Sequence, residues 1–202
     1  MDSKFSKGEQ SRGRLLAAAA SEFAAKGFHR ARVSDIVKAA GLTQASFYQY
    51  FESKEGLYQQ LMDEFFAKLW ELADGGSKVT ALDEADVYGQ VRENLLALFR
   101  FFQGRPELTQ MVLYQAEAGD ELHRKLAAMV SANLRQNQAA GHVRADLSPE
   151  VAAEAMVAVC YRLTSRFLLA GEKTAEQLAD EAVSFLAHGI LQEKTREGAR
   201  HE

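Results

Sequence analysis

The chain has 202 residues, is 47% hydrophobic and 26% charged, and carries a formal net charge of −4. That composition suits an ordinary folded core in one large domain, or in a small module joined to a larger one. A single cysteine, Cys160, excludes an internal disulfide. No apolar run reaches the roughly 18 residues of a membrane span, and the start MDSKFSKGEQSRGR lacks a secretory apolar stretch. The cytoplasm is therefore the expected compartment, with no membrane partner.

Only two prolines occur, Pro106 and Pro149, and Asn-Gly hairpin signals are missing. With abundant Ala, Leu, Glu and Gln, this predicts an all-α protein of about nine helices. The first runs from about Ser11 to Lys26 on a stripe of Leu15, Leu16, Ala19 and Phe23, and stops at Gly27. A short second helix covers Val33 to Ala40 and stops at Gly41. Thr43 is placed to cap a third, Gln44 to Phe51, and Ser53 a fourth, Lys54 to Ala73. The segment DGGSKVTALD reads as a linker.

Five further helices follow. One spans Glu84 to Phe102 and ends at Gly104; the next opens at Pro106. A third runs from Asp120 to Ala140 and stops at Gly141. Ser148-Pro149 announces a fourth that continues to about Gly171. The last opens on Thr174 and Gln177, the spacing of a capping box, and runs to about Gln192. The tail EKTREGARHE is polar and expected to fray.

Charge is unevenly shared. Residues 1–54 hold nine basic and five acidic side chains, a net +4, so the other 148 residues carry −8. A basic head on an acidic body suits contact between the head and a polyanion. Two short helices joined by Gly41-Leu42-Thr43 form the helix-turn-helix pattern, whose second helix enters the DNA major groove. On that helix Phe47, Tyr50 and Phe51 share one face, while Gln44, Ala45, Tyr48 and Gln49 turn away. Glutamine pairs with adenine and an alanine methyl meets thymine. Hydroxyls and helix-start N–H groups suit phosphate. Tyr50 is divided between core and phosphate contact. Lys4, Lys7, Arg12 and Arg14 read either as a minor-groove arm or as a solvated terminus.

From Arg14 to about Leu61 the chain resembles the DNA-binding domain of the TetR family of transcriptional regulators. The resemblance is carried by Leu15 to Phe23, the stop at Gly27, DIVKAAGLT and FYQYFESKEGL. The run from Tyr48 to Leu57 is its most specific part. The resemblance implies DNA contact at Thr43, Gln44, Ala45, Tyr48, Gln49, Tyr50 and Lys54. It also marks one departure. Arg32 stands where the family commonly has a threonine that caps the second helix and touches phosphate. Arginine has no acceptor and cannot cap, so a phosphate role is expected for Arg32, shared with Ser34.

The resemblance further implies that residues 1–54 form the DNA-binding domain, helix 54–73 connects, and residues 74–202 bind a small effector and form a dimer. Candidate effector contacts are Phe99, Phe102, Met111, Tyr114, Met129, Tyr161 and Arg162, with Trp70 from the connecting helix. Arg162 and Arg166, four apart, suit either an anionic ligand end or salt bridges. Candidate dimer contacts are Val151, Ala155, Val159, Phe167, Leu178, Ala182 and Phe185, with an intrachain core as the alternative. The expected protein is a ligand-responsive regulator, by default a repressor. It would bind a palindromic operator as a homodimer and be released by a small amphipathic or apolar effector. A helical protein-interaction module without DNA binding is the alternative. No cofactor and no metal are expected. An enzyme is disfavoured, because Asp120-x-x-His123 has no second such pair and Cys160 sits among Met156, Ala158 and Val159.

Overall fold

The computed structural model describes residues 7–114 and 116–188, with residues 114 and 116–121 described by backbone alone. Nine α-helices are found among them, with no strand: α1 (Lys7–Lys26), α2 (Val33–Ala39), α3 (Gln44–Tyr48), α4 (Lys54–Ala73), α5 (Glu84–Gln103), α6 (Pro106–Tyr114), α7 (Ala116–Ala139), α8 (Pro149–Leu163) and α9 (Ala175–His188). None is long and apolar enough to cross a membrane.

The caps fall where the sequence places them. Thr43 Oγ1 accepts from the Ser46 N–H at 3.2 Å, and Ser53 Oγ from Gly56 at 3.0 Å. At the start of α9 the capping box is reciprocal: Gln177 N donates to Thr174 Oγ1, and Thr174 N to Gln177 Oε1. Arg32 gives α2 no side-chain cap. The turn after α2 needs glycine. Gly41 has φ +63°, and Leu42 N reaches back to Val37 O at 2.8 Å while Gly41 N reaches Lys38 O. This Schellman closure ends α2 and aims α3 across it.

Helices α1 to α3 pack around Leu15, Phe23, Ile36 and Phe47, all almost fully buried. α4 enters this core with Leu57 and Leu61, then leaves it to bury Phe65 and Leu69 in the body. There Phe65 meets Phe101 of α5, with ring centroids 4.9 Å apart. In the body α5 lies along α9 and α7 along α8, while α6 reaches back to α1.

Four expectations are corrected. α1 begins at Lys7, so Lys7, Arg12 and Arg14 belong to a helix rather than an extended arm; Lys4 lies outside the described residues. α3 is shorter than expected, because Gln49 already serves as its C-cap. The helix expected to reach Gly171 leaves α geometry at Leu163 and continues as a π-helical turn, Thr164–Leu168, closed by Leu169 N to Thr164 O. The supposed linker is a 3₁₀ segment, Asp74–Ala81, with Gly75 and Val79 buried. Side chains of α5 and α7 hold it by its carbonyls. Asn94 Nδ2 donates to Gly75 O, Asn133 Nδ2 to Ala73 O and Asn137 Nδ2 to Gly76 O, each at 3.0 Å. The end of the last expected helix, near Gln192, lies outside the described residues.

The two glycines permit this approach. A Cβ on Gly76 would stand 3.0 Å from Asn133 Cβ, and one on Gly75 3.1 Å from Asn94 Cγ. Gly76→Ala is therefore expected to overpack the contact and cost about 1–3 kcal/mol, read as a lowered midpoint in chemical denaturation. An unchanged midpoint would show that the segment has slack.

Candidate nucleic-acid interface and interior cavity

The exposed side of the head is built on α2 and α3. Phe47 is fully buried and Phe51 nearly so, which turns Gln44, Ala45, Tyr48 and Gln49 outward. Tyr48 is 58% exposed and is supported edge-on by Phe47, with centroids 5.3 Å apart. Thr43, Arg32 and Ser34 are exposed as well, and Tyr50 is half-buried. Hydroxyl, carboxamide, methyl and guanidinium groups thus share one surface at the start of a capped helix.

Several of the head's cations serve the fold instead. Lys54 Nζ donates to Phe28 O at 2.8 Å and Ala31 O at 3.2 Å, and stands 4.3 Å from the centre of the Phe28 ring. It thereby closes the α1–α2 connection from the start of α4. Arg14 donates to the carbonyls of Ala40 and Gly41 at the helix-turn-helix corner. Arg12 reaches Glu64 at 3.3 Å and lies over Phe51. Lys26 pairs with Glu22 and Asp35. These bonds hold the Asp35 carboxyl below its ordinary range and raise the Lys26 ammonium.

The body holds a partly open cavity of about 520 Å³, within the range of small-molecule sites. α4 and the 3₁₀ segment wall it with Leu69, Leu72, Ala73, Gly76 and Val79; α5, α6, α7, α8 and the connection between α7 and α8 supply the rest, mostly aliphatic. Phe102 and Tyr161 line it. Phe99 and Met111 are buried in the core instead, and Trp70 stacks on Phe66. Met129 and Arg162 do not line the cavity, and Arg162 is exposed. The side chain of Tyr114 lies outside the described residues. Arg100 and Arg166 pair with Glu176 and Glu172. Tyr161 OH donates to Leu113 O at 3.1 Å, tying α8 to α6.

Sequence reasoning missed the polar lining: Asn94, Asn133, Asn137, His123 and His142. Buried polar residues resemble surface residues when only composition is read. A signal existed, since Asn133 and Asn137 continue the helical stripe of Leu126 and Val130. His123 is bonded to Glu154 at 3.1 Å. The side chain of Asp120 lies outside the described residues. No group of three or more His, Cys, Asp or Glu that could hold a metal is found among the described residues. Cys160 is half-buried and borders the cavity; burial pushes its thiol up to about 12.

Helices α8 and α9 expose an apolar face. Val151 is 69% and Phe185 44% exposed, with Ala155 beside them and Val159 and Phe167 half-buried. Leu178 and Ala182 are almost fully buried within the chain, Ala182 at the floor of the groove lined by Val159, Leu163 and Phe185.

Residues 15–61 match the family model described as bacterial regulatory proteins, tetR family. Over 186 residues the chain is 38% identical to an uncharacterized HTH-type transcriptional regulator, YdgC, of Bacillus subtilis, covering 92% of this chain and 95% of that one. It is 23% identical to the HTH-type transcriptional repressor KstR2 of Rhodococcus jostii, over 89% of this chain and 90% of the relative. Among solved structures, a TetR-like transcriptional regulator from Rhodococcus sp. RHA1 matches with a TM-score of 0.67 at 19% identity, covering 89% and 95%. The regulator FadR of Bacillus subtilis, in complex with stearoyl-CoA, matches with a TM-score of 0.63 at 18% identity, covering 89% and 99%. These two structures share its fold.

Two outcomes are expected from this geometry. Lys54→Met should lower stability by roughly 1.5–3 kcal/mol, because a charged donor leaves two carbonyls; denaturant titration measures this. Unchanged stability would mean that the bonds to Phe28 and Ala31 contribute nothing. At pH 8 a thiol near 12 is ionised to only about one part in 10,000. Cys160 should therefore react with a disulfide reagent far more slowly in the native chain than in urea. Equal rates would place the thiol in solvent.

Proposed function

The chain belongs to the TetR family of bacterial regulatory proteins and is a transcriptional regulator; we propose that it represses by binding a palindromic operator as a homodimer, and that an effector in the body cavity releases it. One observation carries this reading. α4 begins against the helix-turn-helix, where Lys54 holds the α1–α2 connection, and ends as a wall of the cavity at Leu69, Leu72 and Ala73. A single rigid element therefore touches both the DNA-facing unit and the candidate ligand site.

At the operator, Gln44 and Ala45 read base edges, and Tyr48, Thr43, Arg32 and Ser34 hold phosphates, with Gln49 at the margin. Tyr50 contributes its hydroxyl to the backbone. Lys54 acts chiefly by fixing the head on α4. The exposed α8–α9 face at Val151, Ala155, Val159, Phe167 and Phe185 joins the two chains and sets the distance between their α3 helices. The likeness to the repressor KstR2 supports repression. The aliphatic lining, together with the stearoyl-CoA bound by FadR, supports an effector with a substantial apolar portion. The site is the cytoplasm, and no catalytic step is assigned.

The effector lowers DNA affinity by the factor with which it prefers the non-binding arrangement of the dimer, and no further. Selection from random duplexes tests the reading. A palindrome should be enriched, and Gln44→Ala should lose about 1–3 kcal/mol of discrimination at one position. Tyr48→Ala should weaken binding more evenly across sequences, and affinity should fall steeply with salt. Failure to enrich any sequence at low salt would remove the regulator's operator and favour the interaction-module alternative.

A further inference from the structure

One end of the apolar cavity is closed by carboxamides. Asn94 comes from α5, and Asn133 and Asn137 stand one turn apart on α7; all three line the cavity, and the two on α7 are buried. Asn137 Nδ2 uses both its protons, on Gly76 O at 3.0 Å and Asn133 O at 2.8 Å. Its Oδ1 accepts from Thr80 at 3.4 Å. Asn94 and Asn133 each place one proton on a carbonyl of Gly75 or Ala73. A carboxamide has two such protons, so each has one more for a molecule in the cavity.

Charge is handled differently. Among the described residues no Lys, Arg, Asp or Glu lines the cavity. Arginines on the surrounding helices turn outward to acidic partners: Arg92 to Asp180 at 2.6 Å, Arg100 to Glu176 at 2.9 Å, and Arg135 to Glu150. Two histidines line the cavity: His123, engaged by Glu154, and His142. An ionised ligand group drawn inside would lose water and meet no fixed opposite charge, which burial penalises. An uncharged acceptor would meet N–H donors already oriented by their other bonds.

We propose that Asn94 and Asn133, the latter braced by Asn137, recognise an uncharged hydrogen-bond acceptor, such as a ketone, ester or amide carbonyl, within an otherwise apolar effector, and that they pass its arrival to the C-terminal end of α4. This rests on the reading of the cavity as the effector site. Ala73 is the last residue of α4, and its carbonyl is held by Asn133. Gly75 and Gly76 pack so closely on Asn94 and Asn133 that a Cβ on either would stand 3.1 or 3.0 Å from those side chains. An acceptor bound to the remaining N–H draws on the same amides that hold the carbonyls at the end of the connecting helix.

The test uses the full chain and the neutral fluorescent probe N-phenyl-1-naphthylamine, displaced by 2-undecanone, by its isostere 2-methylundec-1-ene, and by decanoate. The wild type should bind the ketone about tenfold or more tightly than the carboxylate. The ketone-to-alkene affinity ratio should fall about fivefold in Asn133→Leu and in Asn94→Leu, as expected for one hydrogen bond, while the probe still binds. Either variant suffices if the other fails to fold. Saturating ketone should also quicken amide hydrogen exchange across residues 74–82. An unchanged ratio in a folded variant, or decanoate binding as tightly as the ketone, overturns the recognition; unaltered exchange overturns the transmission. If the wild type binds neither probe nor chains, the cavity reading itself fails, a result distinct from these.

Discussion

α4 ties head and body into one continuous apolar core. Leu57 and Leu61 complete the packing of α1, α2 and α3, and one to three turns later Phe65 and Leu69 are buried in the body. Because these side chains lie on one helical stripe, the head cannot turn relative to the body without disturbing packed apolar surface at one end or the other. Packed interiors resist gradual deformation. The contact of Phe65 with Phe101, and that of α6 with α1, reinforce the same constraint. Movement at the cavity therefore reaches the head through a stiff element rather than a flexible joint.

The head shows how positive charge in a DNA-binding unit divides between binding and architecture. Its helices α2 and α3 are too short to be stable alone. Arg14 and Lys54 close the carbonyl ends around them, and Arg12 bridges to α4. Cations near helix C-termini are favourable on electrostatic grounds as well. With those positions occupied by structure, the outward face depends on Arg32 and on neutral hydrogen-bonding groups: Thr43, Gln44, Tyr48 and Gln49. Much of the +4 counted in the head is a consequence of folding short helices tightly, and overstates the charge that faces a polyanion.

In the body the same chain solves a different problem. The segment after α4 is too rich in glycine and polar residues to bury itself by the hydrophobic effect. It is instead tied down through its backbone by carboxamides whose donors would otherwise be costly to bury. The result is a polar pole on an aliphatic cavity, with the π-helical turn at Thr164–Leu168 interrupting regular geometry on the long α8 arm.

The helices, their caps and the four glycine stops at Gly27, Gly41, Gly141 and Gly171 were legible in the sequence, since each depends on neighbours within one turn. So was the outward face of α3, because Phe47 and Phe51 had to turn inward together. Tertiary structure decided where each buried side chain went. Phe102 faces the cavity and Phe99 the core; Leu178 and Ala182 are buried while Phe185 stays outside. It also decided which cations bond to backbone and that DGGSKVTA is a 3₁₀ segment with Gly75 and Val79 buried. Periodicity states which face of a helix is apolar, but not what stands opposite it. A cavity arises from side chains of several helices, distant in sequence, that fail to meet.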